Sequence, residues 1–254
     1  MPFPKCVVCA VAILIVVPAG LRAQWKTPWE YAGVRGPAHW GALDSAYATC
    51  KTGQAQSPID IAATTTEALP ALKFAYHRAP LRYLIDNGHT IRVNYHDPGS
   101  GDFLVVGGRR YQLTQLHFHH PSEELVDGKA YPMEVHLMHV SGDGQVIGVT
   151  VFLRVGRANP AVQRMLGHMP PDVGREEDVP GVSVDPRELL PHNLGYYTYE
   201  GSVTAPPCTE HVTWFVLKTP VDVSAAQVAV FAKRYPHNAR PVMPLNGRII
   251  RSSR

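Results

Sequence analysis

The sequence predicts a mainly β fold in a single domain. Three observations carry that expectation. Short segments alternating apolar and polar residues follow one another through the chain, only two segments carry helix signals, and no repeat or linker-like stretch divides the sequence. The chain has 254 residues, 45% apolar and 18% charged, which suits one large core and excludes a disordered tail or a fibre. A formal net charge of +3 calls for no nucleic-acid or acidic-polymer partner.

The N-terminus stands apart from the fold. Lys5 precedes an unbroken run of small and apolar residues from Cys6 to Gly20. That run is short for a membrane span, which needs about 20 residues, and matches the apolar centre of a secretory signal peptide. Cleavage is set at Ala23, with Ala19 as the alternative, so residues 1–23 are expected to be a signal peptide and 24–254 the folded domain. The expected location is secreted or periplasmic, with no stable membrane association after cleavage. Cys50 and Cys208 are then the two cysteines of the mature chain. Two cysteines in an exported protein usually pair, two free buried thiols being the alternative.

Strands are expected at 90–95, 103–106, 109–119, 133–140, 145–155, 195–199 and 210–218, each rich in Val, Ile, Tyr or Phe and bounded by turn residues. The segments 106–109 (VGGR) and 141–144 (SGDG) read as hairpin turns. Asn159 caps one short helix, with Pro160 at its first position and Gly167 past its end. Ser224 and Gln227 form a capping-box pair before another. Both helices read as peripheral, and the Pro-, Gly- and acid-rich stretch 170–186 as loop.

The chemistry concentrates in QLHFHHPSEE (115–124) and MEVHLMHV (133–140). Side chains alternate faces along a strand. Gln115, His117 and His119 therefore share one face, and Glu134, His136 and Met138 share a face of the second strand, with His120 and His139 turned away. If the two strands are antiparallel neighbours, His117, His119 and His136 converge. Three imidazoles with no fourth protein ligand match a catalytic zinc site that keeps a position open; such a set would also accept cobalt or iron. Gln115 and Glu134, two residues before a ligand, are placed to accept the second ring N–H.

These motifs resemble the zinc motif of the alpha-class carbonic anhydrases, especially the secreted bacterial ones. The resemblance extends through GPAHW (36–40), QSPIDI (56–61), DNGHT (86–90), GSVTAPPCTE (201–210), TW (213–214) and NARPVMPLNGR (238–248), in order. It implies a large twisted, mostly antiparallel central sheet with short peripheral helices and a conical cavity ending at zinc. It implies reversible hydration of carbon dioxide to bicarbonate and a proton by zinc-bound hydroxide, with ester hydrolysis as a side activity. By resemblance, Thr204 orients the nucleophile through Glu123, and His89 shuttles the proton. Tyr31 and Asn87 hold the water network, and Met138, Val203 and Trp214 form the apolar substrate pocket. Cys50 and Cys208 align with the disulfide common in exported members. The partner is the small-molecule substrate, and a homodimer is left open.

Three residues depart from the family pattern. Ala205 stands where a second threonine is common. Glu124 replaces a frequent histidine and is expected to alter how Glu123 is held. Arg92 replaces a neutral polar residue, and its charge is expected to disfavour protonated His89. His77, His96, His168 and His192 read as surface or structural.

Overall fold

All seven expected strands form. The structure is a computed structural model that describes residues 27–97 and 101–254; the expected signal peptide, 1–23, lies outside the described residues. Eight strands build the functional part: β1 (Leu84–Asp86), β2 (Ile91–Asn94), β3 (Phe103–Val106), β4 (Arg109–His119), β5 (Met133–Val140), β6 (Val146–Val155), β7 (Tyr196–Ser202) and β8 (Glu210–Val223). They belong to a twelve-stranded sheet whose central order is β1-β2-β4-β5-β6-β8-β7. β3 pairs with the first part of β4 through the turn at Gly107–Gly108.

The sheet is mixed. β2, β4, β5 and β6 run antiparallel in succession, but β6 pairs with β8 in parallel, as do two edge strands, Arg251–Ser253 and Thr65–Glu67. A parallel neighbour cannot be reached by a tight turn. The chain leaves β6, lays down β7 further out, and returns as β8 between them, which is why so long a connection separates the two.

The connection is also more ordered than a plain loop. Within the stretch 170–186, Glu176–Glu177 pairs with β1, and Ser183–Val184 pairs with Ala79–Pro80. The first extends the edge of the large sheet, the second is a separate two-stranded pair, and both carry too few residues to show a period in the sequence.

β5 is buried on both faces, so its alternation separates two different interiors. Val135 and Leu137 pack with Leu116, Phe118, Val149 and Val151 in the larger core. The opposite face holds His136 and a smaller cluster of Met138, Phe152, Tyr199 and Trp214. Two helices close the larger core, α1 (Pro160–Leu166) and α2 (Ala225–Arg234). Asn159 Oδ1 accepts from Ala161 N and Val162 N, and Ser224 with Gln227 completes the capping box. Gln227 Oε1 also accepts from Asn159 N at 3.0 Å, so one side chain joins the two helix starts.

α2 also holds the turn after β1. Arg234 donates two hydrogen bonds, at 2.8 and 2.6 Å, to Asp86 Oδ2, while Asp86 Oδ1 accepts from Gly88 N at 2.8 Å. Gly88 has φ +85°, a conformation glycine adopts freely. That turn carries Asn87 and His89.

Candidate metal centre

The register of β4 against β5 sets His117 directly opposite His136, His119 opposite Glu134, and Gln115 opposite Met138. The three rings converge, with centroids 4.7 to 5.2 Å apart, and one nitrogen of each lies within 4.8 Å of the others. His120 and His139 point elsewhere. His120 Nδ1 donates to the Pro132 carbonyl, and His139 Nε2 shares a 2.6 Å hydrogen bond with the Tyr76 hydroxyl inside the larger core.

Each converging ring is fixed by its other nitrogen. His117 Nδ1 donates to Gln115 Oε1 at 2.7 Å, and His136 Nε2 lies 3.0 Å from Glu134 Oε1. His119 Nδ1 donates to the backbone carbonyl of Asn238 at 2.7 Å. The sequence gives no hint of this third partner, because a carbonyl carries no residue signature. The nitrogens left over, His119 Nε2 and His136 Nδ1, are buried without a hydrogen-bond partner. Buried polar atoms without partners are rare in native structures. Here they belong to a set of three imidazoles oriented as zinc requires, so the residues present fit that metal.

Electrostatics divides the three histidines. Burial holds His117 and His119 well below the usual imidazole range, keeping them neutral. Burial acts the same way on His136, but Glu134 and Glu124 outweigh it and push the ring up to about 10. His136 therefore exchanges a proton for any metal it takes.

The expected residues around the ligands also gather. Glu123 Oε1 accepts from Arg240 N at 2.8 Å, and Glu123 N donates to Glu134 Oε1 at 2.8 Å. Burial pushes the Glu123 carboxyl up to about 7, opposed by His136, the Arg240 N–H and the Thr204 hydroxyl. Thr204, itself buried, is one of the groups acting on Glu123. Glu124 acts on Glu123 through its charge, which raises the Glu123 carboxyl, and is itself engaged elsewhere: Oε1 accepts from Tyr199 Oη at 3.0 Å, and Oε2 lies 3.4 Å from His136 Nε2.

Met138, Val203 and Trp214 share one apolar cluster, and the Trp214 ring lies 4.6 Å from that of His136. Gly148 permits this, since a Cβ there would come within 2.4 Å of the indole. Asn87 Oδ1 accepts from His89 N and Thr90 N, so its first task is to build the turn. Tyr31 packs edge-on to Trp29 and Trp40, with His89 6.2 Å away; burial, then Glu123, raises its phenol well above the usual range. Cys50 and Cys208 form a disulfide across 158 residues, and Cys208 N donates to the Ala205 carbonyl in the loop bearing Thr204. Arg92 sits across from His117 on the β2 side.

The sequence matches the model of the eukaryotic-type carbonic anhydrase family over residues 35–254. It is 39% identical to a carbonic anhydrase of Nostoc sp. over 226 residues, 87% of this chain and 84% of that one. The fold is similar to that of the alpha-carbonic anhydrase of Thermovibrio ammonificans, solved with the inhibitor sulfanilamide. The TM-score is 0.83 at 40% identity, covering 89% of this chain and 99% of the other. It is also similar to dioscorin, solved with ascorbate, with a TM-score of 0.81 at 31% identity over 89% of this chain and 97% of that one.

Proposed function

The chain belongs to the eukaryotic-type, or alpha, carbonic anhydrases, lyases acting on carbon dioxide and bicarbonate, and from that premise we propose that it hydrates carbon dioxide with zinc held by His117, His119 and His136. The observation that carries the reading is the pair of buried, unpartnered nitrogens, His119 Nε2 and His136 Nδ1, in a triad where each ring has one nitrogen engaged: His117 Nδ1 by Gln115, His119 Nδ1 by the Asn238 carbonyl and His136 Nε2 by Glu134. When bound, zinc supplies Lewis acidity that makes a water nucleophilic near neutral pH.

The protein's own groups supply position, dryness and proton transfer. The Thr204 hydroxyl has one proton and two lone pairs. Its proton goes to Glu123, which Arg240 N holds in place, so its lone pairs accept from the attacking water. That fixes the direction of attack. Met138, Val203 and Trp214 present an apolar surface to a nonpolar substrate. His89, half-buried on the turn after β1, passes the released proton toward solvent, its two ring nitrogens allowing one to take up a proton while the other gives one up. The Cys50–Cys208 disulfide supports export to an oxidising compartment, and hence the signal peptide and a periplasmic or extracellular location.

The test is carbon dioxide hydration by the purified protein before chelation, after chelation, and after adding back one equivalent of zinc. Activity should vanish and return. A protein holding one zinc and showing no hydration above buffer would sink the proposal.

A further inference from the structure

Arg92 carries a charge that no carboxylate among the described residues meets in an ion pair. It stands in β2 directly opposite His117 of β4, and paired residues of neighbouring strands project from the same face. The guanidinium is therefore on the metal side of the sheet. Arg92 Nε is buried without a hydrogen-bond partner, and among the described residues no carboxylate lies within ion-pair distance of Arg92. Glu176, the acid whose field it feels, is already engaged by Asn94 and by His96 Nε2 at 2.9 Å. Burial, partly offset by Glu176, lowers Arg92 from its ordinary value, and its charge is one of the causes that lower His117.

A partly buried, unpaired guanidinium costs stability. A ligand that neutralises it would offset that cost. The position narrows the chemistry of the ligand. Arg92 flanks His117 from β2, whereas Met138 and Trp214 flank the centre from β5 and β8. The candidate centre thus has a cationic side and an apolar side. Carbon dioxide is nonpolar; bicarbonate is a planar anion with two oxygens spaced like those of a carboxylate. The guanidinium fork matches that geometry with two parallel hydrogen bonds, which an ammonium cannot do.

We propose that Arg92 is a specificity-determining residue for bicarbonate, drawing the planar anion to the β2 side of the metal centre while the apolar wall serves carbon dioxide. The inference rests on the functional reading above. It predicts that this protein retains bicarbonate, and planar anions of similar shape, more strongly than its metal alone would.

The probe is nitrate, a planar anion that undergoes no turnover. It is titrated into cobalt-loaded protein and followed by the visible spectrum of the metal, beside product inhibition of the zinc enzyme by bicarbonate. Arg92→Gln should weaken both by about tenfold, in line with a hydrogen bond to a charged group. Arg92→Lys should fall between, since it keeps the charge and loses the fork. The melting temperature of Arg92→Gln should not fall, because an unpaired charge is removed. Nitrate affinity equal in wild type and Arg92→Gln overturns the inference, as does a wild type that binds no nitrate. Failure of the wild-type zinc protein to hydrate carbon dioxide would instead remove the functional reading, and the nitrate comparison would still stand or fall alone.

Discussion

His89 lies flat against Trp29. Their ring centroids are 3.7 Å apart with planes 10° from parallel, and His89 Nε2 donates to the Trp29 carbonyl at 2.8 Å. Asn238 Nδ2 holds the backbone from the other end, donating to the His89 carbonyl at 2.9 Å. The ring is thus parked on an aromatic shelf, one nitrogen engaged. Replacing His89 by Ala should lower hydration turnover in weakly buffered solution by about a hundredfold, the low end of what a positioned acid–base group contributes. Added imidazole buffer should restore most of it. Turnover that is unchanged in weak buffer would remove His89 from proton transfer.

Ring orientation should govern metal affinity. Gln115→Ala frees His117 Nδ1, and Glu134→Gln weakens the acceptor beside His136. Each should weaken zinc binding by about 10- to 100-fold, measured by competition with a coloured chelator. Glu134→Gln should also release fewer protons on zinc uptake, because Glu134 leads the groups that keep His136 protonated. Proton release equal to wild type would contradict that assignment.

The disulfide links stability to the loop carrying Thr204. Its closed loop is long, and the chain-entropy model assigns such a loop about 4–5 kcal/mol as an upper figure. Reduction, or Cys50→Ser, should lower both the melting temperature and turnover. A reduced protein with unchanged melting and unchanged turnover would break the link.

Acid should destabilise the fold partly through His139. Burial pushes its imidazole down to about 3, against a slight rise from a backbone hydrogen bond. Between the unfolded value of about 6.5 and that figure, the unfolded chain binds a proton that the native one does not, so stability falls as pH falls. From pH 7 to pH 5 this residue should account for about 2 kcal/mol. His139→Gln keeps a group able to bond Tyr76 and does not titrate. Urea unfolding at the two pH values should show a smaller loss for the variant by that amount; an equal loss would assign the acid sensitivity to the buried carboxylates.

Strand alternation alone separated His117, His119 and His136 from His120 and His139, because β4 and β5 are long, regular and side by side. The helix caps were equally legible, since Asn159-Pro160 and Ser224–Gln227 act over three residues. What escaped the sequence acts over distance or through the backbone. The Asn238 carbonyl meets His119 across 119 residues, and Arg240 N meets Glu123 across 117. The partner of Glu124, Tyr199, likewise lies on another strand 75 residues away. The parallel pairing of β6 with β8 left no mark either, because alternation shows which face a residue takes and says nothing of strand direction.

The spread of those partners along the chain has a consequence for assembly. The three nitrogen donors and two of their three acceptors, Gln115 and Glu134, sit on one adjacent strand pair, close in sequence. Contacts of short separation are quicker to form than distant ones. The grip on the ion is therefore encoded locally, while Asn238, Arg240 and Thr204 arrive with the C-terminal part of the chain. On the proposed reading, the residues that would hold the metal can come together before those that would put it to use. Zinc met while the chain is still folding would favour this pairing of strands over its competitors, so the ion would act first as a template and only afterwards as a reagent.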